Sequence, residues 1–294
     1  MVKSRYKAMI YIILSAFFFA LMFLFVRLAG DLPTFQKVFF RNFIALIIAV
    51  LTMIRSHTRF ECKGAKNKAV LFIRAAAGTA GMLGNFYAID RLVLSDASML
   101  NKMSPFFVIV FSFIFLREKL TMIQGLTVVG AFAGSLLIIK PSFQLTEFFP
   151  AAMGLFGGMG AGLAYTCVRY LGQHGVKGSV IITFFSGFSC LVTLPYIIIA
   201  GKPMTIAQIL IMIGAGAAAA GGQFTITAAY SHAPGREISV YDYSQLIFTT
   251  LLGFIVFGDV PDVWSFIGYF VIITMAVLVF LYNNFWHRER NSTS

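Results

Sequence analysis

The stretch AMIYIILSAFFFALMFLFV, residues 8–26, contains no charged residue, and it decides the fold class. A helix needs about 20 mostly apolar residues to cross a hydrocarbon core about 30 Å thick. Lys7 and Arg27 flank this stretch, which is longer than the apolar region of a signal peptide, about 7–15 residues. We therefore predict an uncleaved first membrane span over residues 7–29.

The composition of the whole chain agrees with this first span. Of its 294 residues, 59% are hydrophobic and 12% are charged. Soluble domains carry about 25% charged residues, so this chain has too few to cover a water-facing surface. A membrane β-barrel would show alternating segments of about ten residues, and the apolar runs here are continuous. The prediction is an all-α integral membrane protein.

Nine further apolar runs follow the first and are separated by Pro, Gly and charged residues. They predict ten transmembrane helices at residues 7–29, 33–54, 69–89, 95–116 and 121–139 in the first half, and 149–171, 178–200, 206–229, 237–257 and 262–283 in the second.

The basic residues set the expected orientation. With a cytoplasmic N-terminus, sixteen of the 23 Lys and Arg residues, Arg74 among them, face the cytoplasm and five face outside. Arg41 and Lys102 fall inside spans. By the positive-inside rule, we predict a multi-pass protein of the cell (inner) membrane with both termini cytoplasmic. The net charge of +12 then reflects membrane orientation, and it does not indicate nucleic-acid binding.

An internal repeat emerges at an offset of about 141–145 residues. Phe25-Val26-Arg27 falls on Cys167-Val168-Arg169, Gly81 falls on Gly222, and Glu118 falls on Asp259. Because each unit would hold an odd number of spans, five, the second unit must enter the membrane from the opposite side. We predict two inverted five-helix repeats, residues 1–141 and 142–286, followed by a short cytoplasmic tail, 287–294. Inverted repeats are typical of secondary transporters.

The sequence resembles the EamA-type, ten-helix branch of the drug/metabolite transporter superfamily over nearly its whole length. The residues that carry the resemblance are Pro105, the segment FLREKLT at 115–121, Gln124, Phe257-Gly258-Asp259 and Gly268. Leu246 stands where a second proline would match Pro105, and Asp259 replaces a glutamate, which argues against a strictly symmetric mechanism. The resemblance implies movement of small organic solutes such as amino acids or related metabolites.

Three ionisable residues stand out inside predicted spans: Arg41, Lys102 and Asp242. Each costs about 2.5–3.5 kcal/mol at a helix centre on insertion scales, which makes it a candidate for function. From the predicted boundaries, Lys102 and Asp242 differ in depth by about 14 Å, so we expect no direct salt bridge without a broken helix. Asp90, Asp96 or an anionic group of the substrate are the possible counter-ions of the two cations. An internal ion pair or snorkelling is the structural alternative.

Polar residues at helical spacing in the fourth and ninth spans predict a cavity between the two halves. The substrate cavity is expected to be lined by Arg41, Asn85, Tyr87, Asn101, Lys102, Tyr165, Gln223, Asp242 and Tyr243. Pro105 is expected to kink its helix and to serve gating, and Asp242 to act as a protonation switch. The structural alternative is hydrogen bonding between helices, worth only about 0.6 kcal/mol on average. Glycine stripes in the third, sixth and eighth spans predict close helix packing.

The motifs typical of enzymes are missing from the sequence. It has no H-E-x-x-H, no G-x-S-x-G and no Walker A loop, and its three cysteines show no metal-ligand spacing. We predict neither catalysis nor a cofactor or metal. The predicted function is a secondary, non-ATP transporter of small organic solutes that works by alternating access around a midplane cavity. The alternatives are a lipid flippase and, less favoured, an intramembrane enzyme. The expected partners are a small-molecule substrate and membrane lipid, and the oligomeric state stays open.

Overall fold

A computed structural model of the protein describes residues 2–116, 121–139, 145–232 and 239–282. Within these ranges every regular element is helical, and the helices are α1 (Val2–Leu28), α2 (Thr34–Arg55), α3 (Ala65–Ile89), α4 (Leu94–Asn101), α5 (Ser104–Leu116), α6 (Met122–Ile139), α7 (Leu145–Gln173), α8 (Gly178–Ala200), α9 (Ile206–His232), a 3₁₀ helix (Ser239–Tyr243), α10 (Ser244–Phe257) and α11 (Val263–Leu281). Glu118 of the predicted repeat and the tail 287–294 lie outside the described residues.

Eight helical stretches in the described ranges are long and apolar enough to cross a membrane. Two shorter apolar helices, Met122–Ile138 and Tyr241–Phe257, lie at the positions of the predicted fifth and ninth spans. Large apolar side chains such as Ile199 and Met122 are more than four-fifths exposed on the outside of the helix bundle, at 85% and 82%. Such a surface needs a lipid environment, so the prediction of an all-helical integral membrane protein is confirmed.

The fourth apolar run contains a break. Helix α4 ends at Asn101, and α5 begins at Ser104. Pro105 has no backbone N–H and therefore could not donate to the carbonyl of Asn101 in a continuous helix. The sequence predicted one span with a kink at Pro105; the structure instead interrupts the helix at Lys102–Met103, directly ahead of the proline.

Glycines let α7 pack closely against two neighbours. A Cβ atom on Gly160 would lie 2.7 Å from the Cα of Gly81 in α3. On another face of α7, a Cβ atom on Gly158 would lie 2.5 Å from the carbonyl oxygen of Leu100 in α4. Both distances are too short for a real side-chain contact, so the predicted packing role of these glycines agrees with the structure.

Two alanine substitutions on α7 should change stability in opposite directions. Gly160→Ala should lower the free energy of unfolding by about 1–3 kcal/mol, because its methyl group meets the backbone of α3. Gly172→Ala should raise it slightly, because nothing lies within 4 Å of that position and alanine is a better helix former. Thermal unfolding in detergent measures both variants, and equal effects of the two would contradict the packing assignment.

Ion pairs join the helices at one end of the bundle, which we call the Asp259 end and define by residues 29–33, 90–93, 201–205 and 258–262. Arg27 pairs with Asp259, which also accepts a hydrogen bond from the backbone N–H of Leu94 at 3.1 Å. Lys37 is fully buried and pairs with Asp90 at 2.6 Å. Burial raises the pKa of the Asp90 carboxyl, and the charge of Lys37 opposes that rise. Asp259 thus anchors a helix end.

Candidate functional site

A cavity of about 110 Å³ lies between helices from both halves of the chain. One water molecule needs about 10–15 Å³ by this kind of measure, so the space holds several waters or a small solute. Its wall combines aromatic rings with polar side chains, and the polar ones are Arg41, Arg74, Asn85, Asn101, Lys102, Ser104, Tyr165, Gln223, Asp242 and Gln245.

Most of the side chains predicted for a cavity do lie together. The structure brings Arg41, Asn85, Asn101, Lys102, Tyr165, Gln223 and Asp242 to this one wall. Tyr87 is not among the lining residues; its ring contacts Phe149, with centroids 5.5 Å apart, and the guanidinium of Arg91. Tyr243 also lies outside the lining and donates a hydrogen bond to the Lys102 carbonyl at 3.1 Å.

Three polar residues of the lining were not predicted from the sequence, namely Ser104, Gln245 and Arg74, and of these only Arg74 is charged. Arg74 is the informative case. It was counted as a cytoplasmic charge, but it lies in α3, is 5% exposed, and sits 3.9 Å from the centre of the Phe185 ring. The counting was wrong because the charge falls inside the predicted span 69–89 and not in the loop before it. Its spacing from Gly78, Gly81 and Asn85 places all four on one helix face, and this pattern was available in the sequence.

Lys102 and Asp242 form a salt bridge across the cavity wall, with Nζ 2.5 Å from Oδ2. The predicted difference in depth of about 14 Å was wrong, although a broken helix was the stated condition for a salt bridge between them. It assumed two continuous helices, whereas Lys102 follows the last turn of α4 at a break and Asp242 lies in the 3₁₀ helix. The second carboxylate oxygen of Asp242, Oδ1, is buried without a hydrogen-bond partner.

Asp90 and Asp96, the counter-ions considered from the sequence, do not line the cavity. Asp90 pairs with Lys37, and Asp96 accepts a hydrogen bond from the hydroxyl of Tyr269. Both acids therefore have partners outside the cavity lining.

The two cavity arginines have no carboxylate partner among the described residues. Arg41 is 2% exposed and donates from Nη1 to the Asn42 side chain at 2.6 Å, while its Nε has no partner. In Arg74, Nε and Nη1 both lack partners. The lining thus holds three cations, Arg41, Arg74 and Lys102, against the single carboxylate of Asp242. No group of His, Cys, Asp and Glu suited to a metal ion occurs in the described part of the chain.

A double-mutant cycle should show the strength of the Lys102–Asp242 pair. Lys102→Met should destabilise the protein by roughly 3–5 kcal/mol, because it leaves a buried carboxylate without its partner. Adding Asp242→Asn should recover most of that loss, since the remaining pair is neutral. Apparent melting temperatures in detergent at one pH measure the cycle. Additive losses in the double mutant would show that the two side chains do not interact.

These features define a class: a multi-pass membrane protein whose helices enclose a positively charged cavity. Charged side chains inside a membrane bundle mark pathways for solutes or ions. The EamA-like transporter family matches residues 6–140. The chain is 27% identical to the pseudopaline exporter CntI of Pseudomonas aeruginosa over 90% of this chain and 93% of the exporter.

Two further relatives and a solved structure show the same likeness. The riboflavin transporter of Brucella anthropi is 29% identical over 79% of this chain and 82% of its own length. The human solute carrier family 35 member G1 is 25% identical over 91% of this chain and 77% of its own length. A crystal structure superimposes with a TM-score of 0.64 at 13% identity over 93% of this chain and 96% of that one, which supports the fold alone. The predicted resemblance to EamA-type transporters is confirmed, and the matches support a membrane transporter of small solutes.

Proposed function

We propose that this protein is a secondary transporter that carries small organic solutes across the cell inner membrane by alternating access around its internal cavity. The observation that carries the proposal is the cavity itself, because each half of the chain supplies charged and polar groups to it. Lys102 comes from the first half and Asp242 from the second, and they meet in the wall. A site between two halves can be exposed to either side when the halves rock against each other.

The helix contacts support two inverted repeats, residues 1–141 and 142–286. If the repeats correspond, α1 is equivalent to α7, α2 to α8, and α3 to α9. Replacing each helix by its equivalent turns the contact of α3 with α7 into that of α9 with α1, and these are the two most extensive contacts. It likewise turns the contact of α2 with α9 into that of α8 with α3. The contact of α2 with α8 is turned into itself, and so is the contact of α6 with α11 if those two helices are also equivalent. A pseudo-twofold relation between the halves gives this pattern, and with five spans in each half the axis would lie in the membrane plane.

Contacts join the two halves of the chain at the Asp259 end of the bundle. Arg27 and Leu94 from the first half both bind Asp259 from the second. The Gln36 side chain exchanges two hydrogen bonds with the backbone of Lys202, at 2.8 and 2.9 Å. With both termini in the cytoplasm, this end faces outward. Opening the cavity to the outside then requires these contacts to break.

Removing the charge of Asp259 should loosen this end. In Asp259→Asn, the ion pair with Arg27 is lost and the contact to the Leu94 amide is weakened. Hydrogen–deuterium exchange should therefore become several-fold faster at residues 90–98. Glu61→Gln, which changes an exposed ion pair with Lys63, is the control and should leave that segment unchanged. Identical exchange in Asp259→Asn and the wild type would contradict the proposal that these contacts hold the Asp259 end together.

Transport itself is tested with purified protein in liposomes. A screen of amino acids, nucleosides, organic acids and cationic metabolites for thermal stabilisation identifies a ligand, because a solute that binds the folded state raises its apparent stability. That ligand should accumulate in liposomes that contain the protein and not in empty ones. Binding without uptake in any imposed gradient would contradict the transport function.

Asp242 is the proposed protonation switch, since adding a proton removes the charge that holds Lys102. Asp242→Asn should abolish uptake driven by a pH gradient and retain exchange of the ligand across the membrane. The measurement compares pH-driven uptake with ligand counterflow in the same liposomes. Unchanged pH coupling in the variant would show that the proton is carried elsewhere.

A further inference from the structure

Arg41 and Arg74 are the buried charges of the cavity that the protein itself leaves without a counter-ion. They lie on α2 and α3 and are 2% and 5% exposed. Three of their guanidinium nitrogens, Nε of Arg41 and both Nε and Nη1 of Arg74, have no hydrogen-bond partner. Buried ionised groups in folded proteins are paired as a rule, so a missing partner needs an explanation.

Neutral neighbours hold the two guanidinium groups in place without cancelling their charge. Arg41 donates to the side-chain oxygen of Asn42, and Arg74 lies against the face of the Phe185 ring. An amide oxygen and an aromatic ring orient an arginine, but neither carries a full negative charge. Both side chains are therefore positioned, and their positive charge is directed to the cavity.

The remaining charges of the cavity cancel each other. Lys102 and Asp242 form their own ion pair, so the carboxylate is already engaged by a nearer cation. What is left is a net positive charge from two guanidinium groups that share one small space. Their planar forks match the two oxygens of a carboxylate or the oxygens of a phosphate.

We propose that the solute bound in this cavity carries a carboxylate or phosphate group and that Arg41 and Arg74 bind this group. The inference rests on the proposed transport function, because it names the chemical class of the solute for that same cavity. Lys102 is not the primary anion ligand in this arrangement; it positions Asp242 at the other side of the site.

The protein without bound solute gives a test that does not require the solute to be known. Removing a buried charge that has no partner should stabilise the fold, so Arg41→Gln and Arg74→Gln should each raise the apparent melting temperature by at least about 2 °C. Lys37→Gln removes a buried charge that has a partner, Asp90, and should lower it. Arg59→Gln removes an exposed charge and should have no effect.

Ligand binding gives the second test, with probes of stated chemistry. Wild-type protein in detergent is melted in sodium chloride and, at equal ionic strength, in sodium acetate, pyruvate, malate or phosphate. Choline chloride serves as the cationic probe and dihexanoylphosphatidylglycerol as the lipid headgroup. We expect one of the soluble anions to raise the melting temperature above its value in chloride, with choline inert. Both Gln variants should lose that rise, and Arg74→Lys should need about tenfold more anion because lysine lacks the fork.

The outcomes separate this inference from the transport function. Anion binding that depends on both arginines supports the inference even if liposome uptake fails, in which case only the transport function is contradicted. If only the phosphatidylglycerol headgroup stabilises the protein, the two arginines still form an anion site, but the bound solute is a lipid and the protein is a lipid flippase. No arginine-dependent stabilisation by any anion, or equal stabilisation by choline, overturns the inference. Where the two tests disagree, the anion-dependent shift decides.

Discussion

A helix in a hydrocarbon core must satisfy its own backbone hydrogen bonds, and an interruption is tolerated only where other protein groups surround it. The structure depends on one such interruption, at Lys102–Met103 between α4 and α5. The hydroxyl of Tyr243 donates to the carbonyl of Lys102, which satisfies a backbone group at the break. The break also places the Lys102 ammonium beside Asp242, and this position makes the charged cavity possible.

Close packing of small residues encloses that break. Helix α7 presents Gly157 and Gly160 to α3 and Gly158 and Gly162 to α4 and α5, at distances where a methyl group would collide with backbone or Cβ atoms. Between membrane helices there is no hydrophobic driving force, so contact area gained by close approach supplies much of the association energy. The glycines thus fix the walls of the cavity, and the polar side chains occupy the space that remains between them.

Charge is distributed differently at the end of the bundle and in its interior. At the Asp259 end, Arg27 and Lys37 each have a carboxylate partner, and the pairs join helices. In the cavity, Arg41 and Arg74 have none among the described residues. Paired charges stabilise one arrangement of helices, whereas charges without partners cost free energy unless a ligand supplies the counter-ion. The protein therefore keeps its charge imbalance where a solute would bind.

The sequence by itself determined the membrane class, the helix positions to within a few residues and most of the polar residues of the cavity lining, because apolar run length and helical spacing are local properties of the chain. Pro105 signalled an irregularity in the fourth run but not that the break falls at Lys102. Only the tertiary structure decided that Lys102 reaches Asp242 and that Tyr87 and Tyr243 lie outside the lining. These positions depend on how the break at Lys102–Met103, the 3₁₀ helix and several glycine faces meet. Residues far apart in the chain set that geometry.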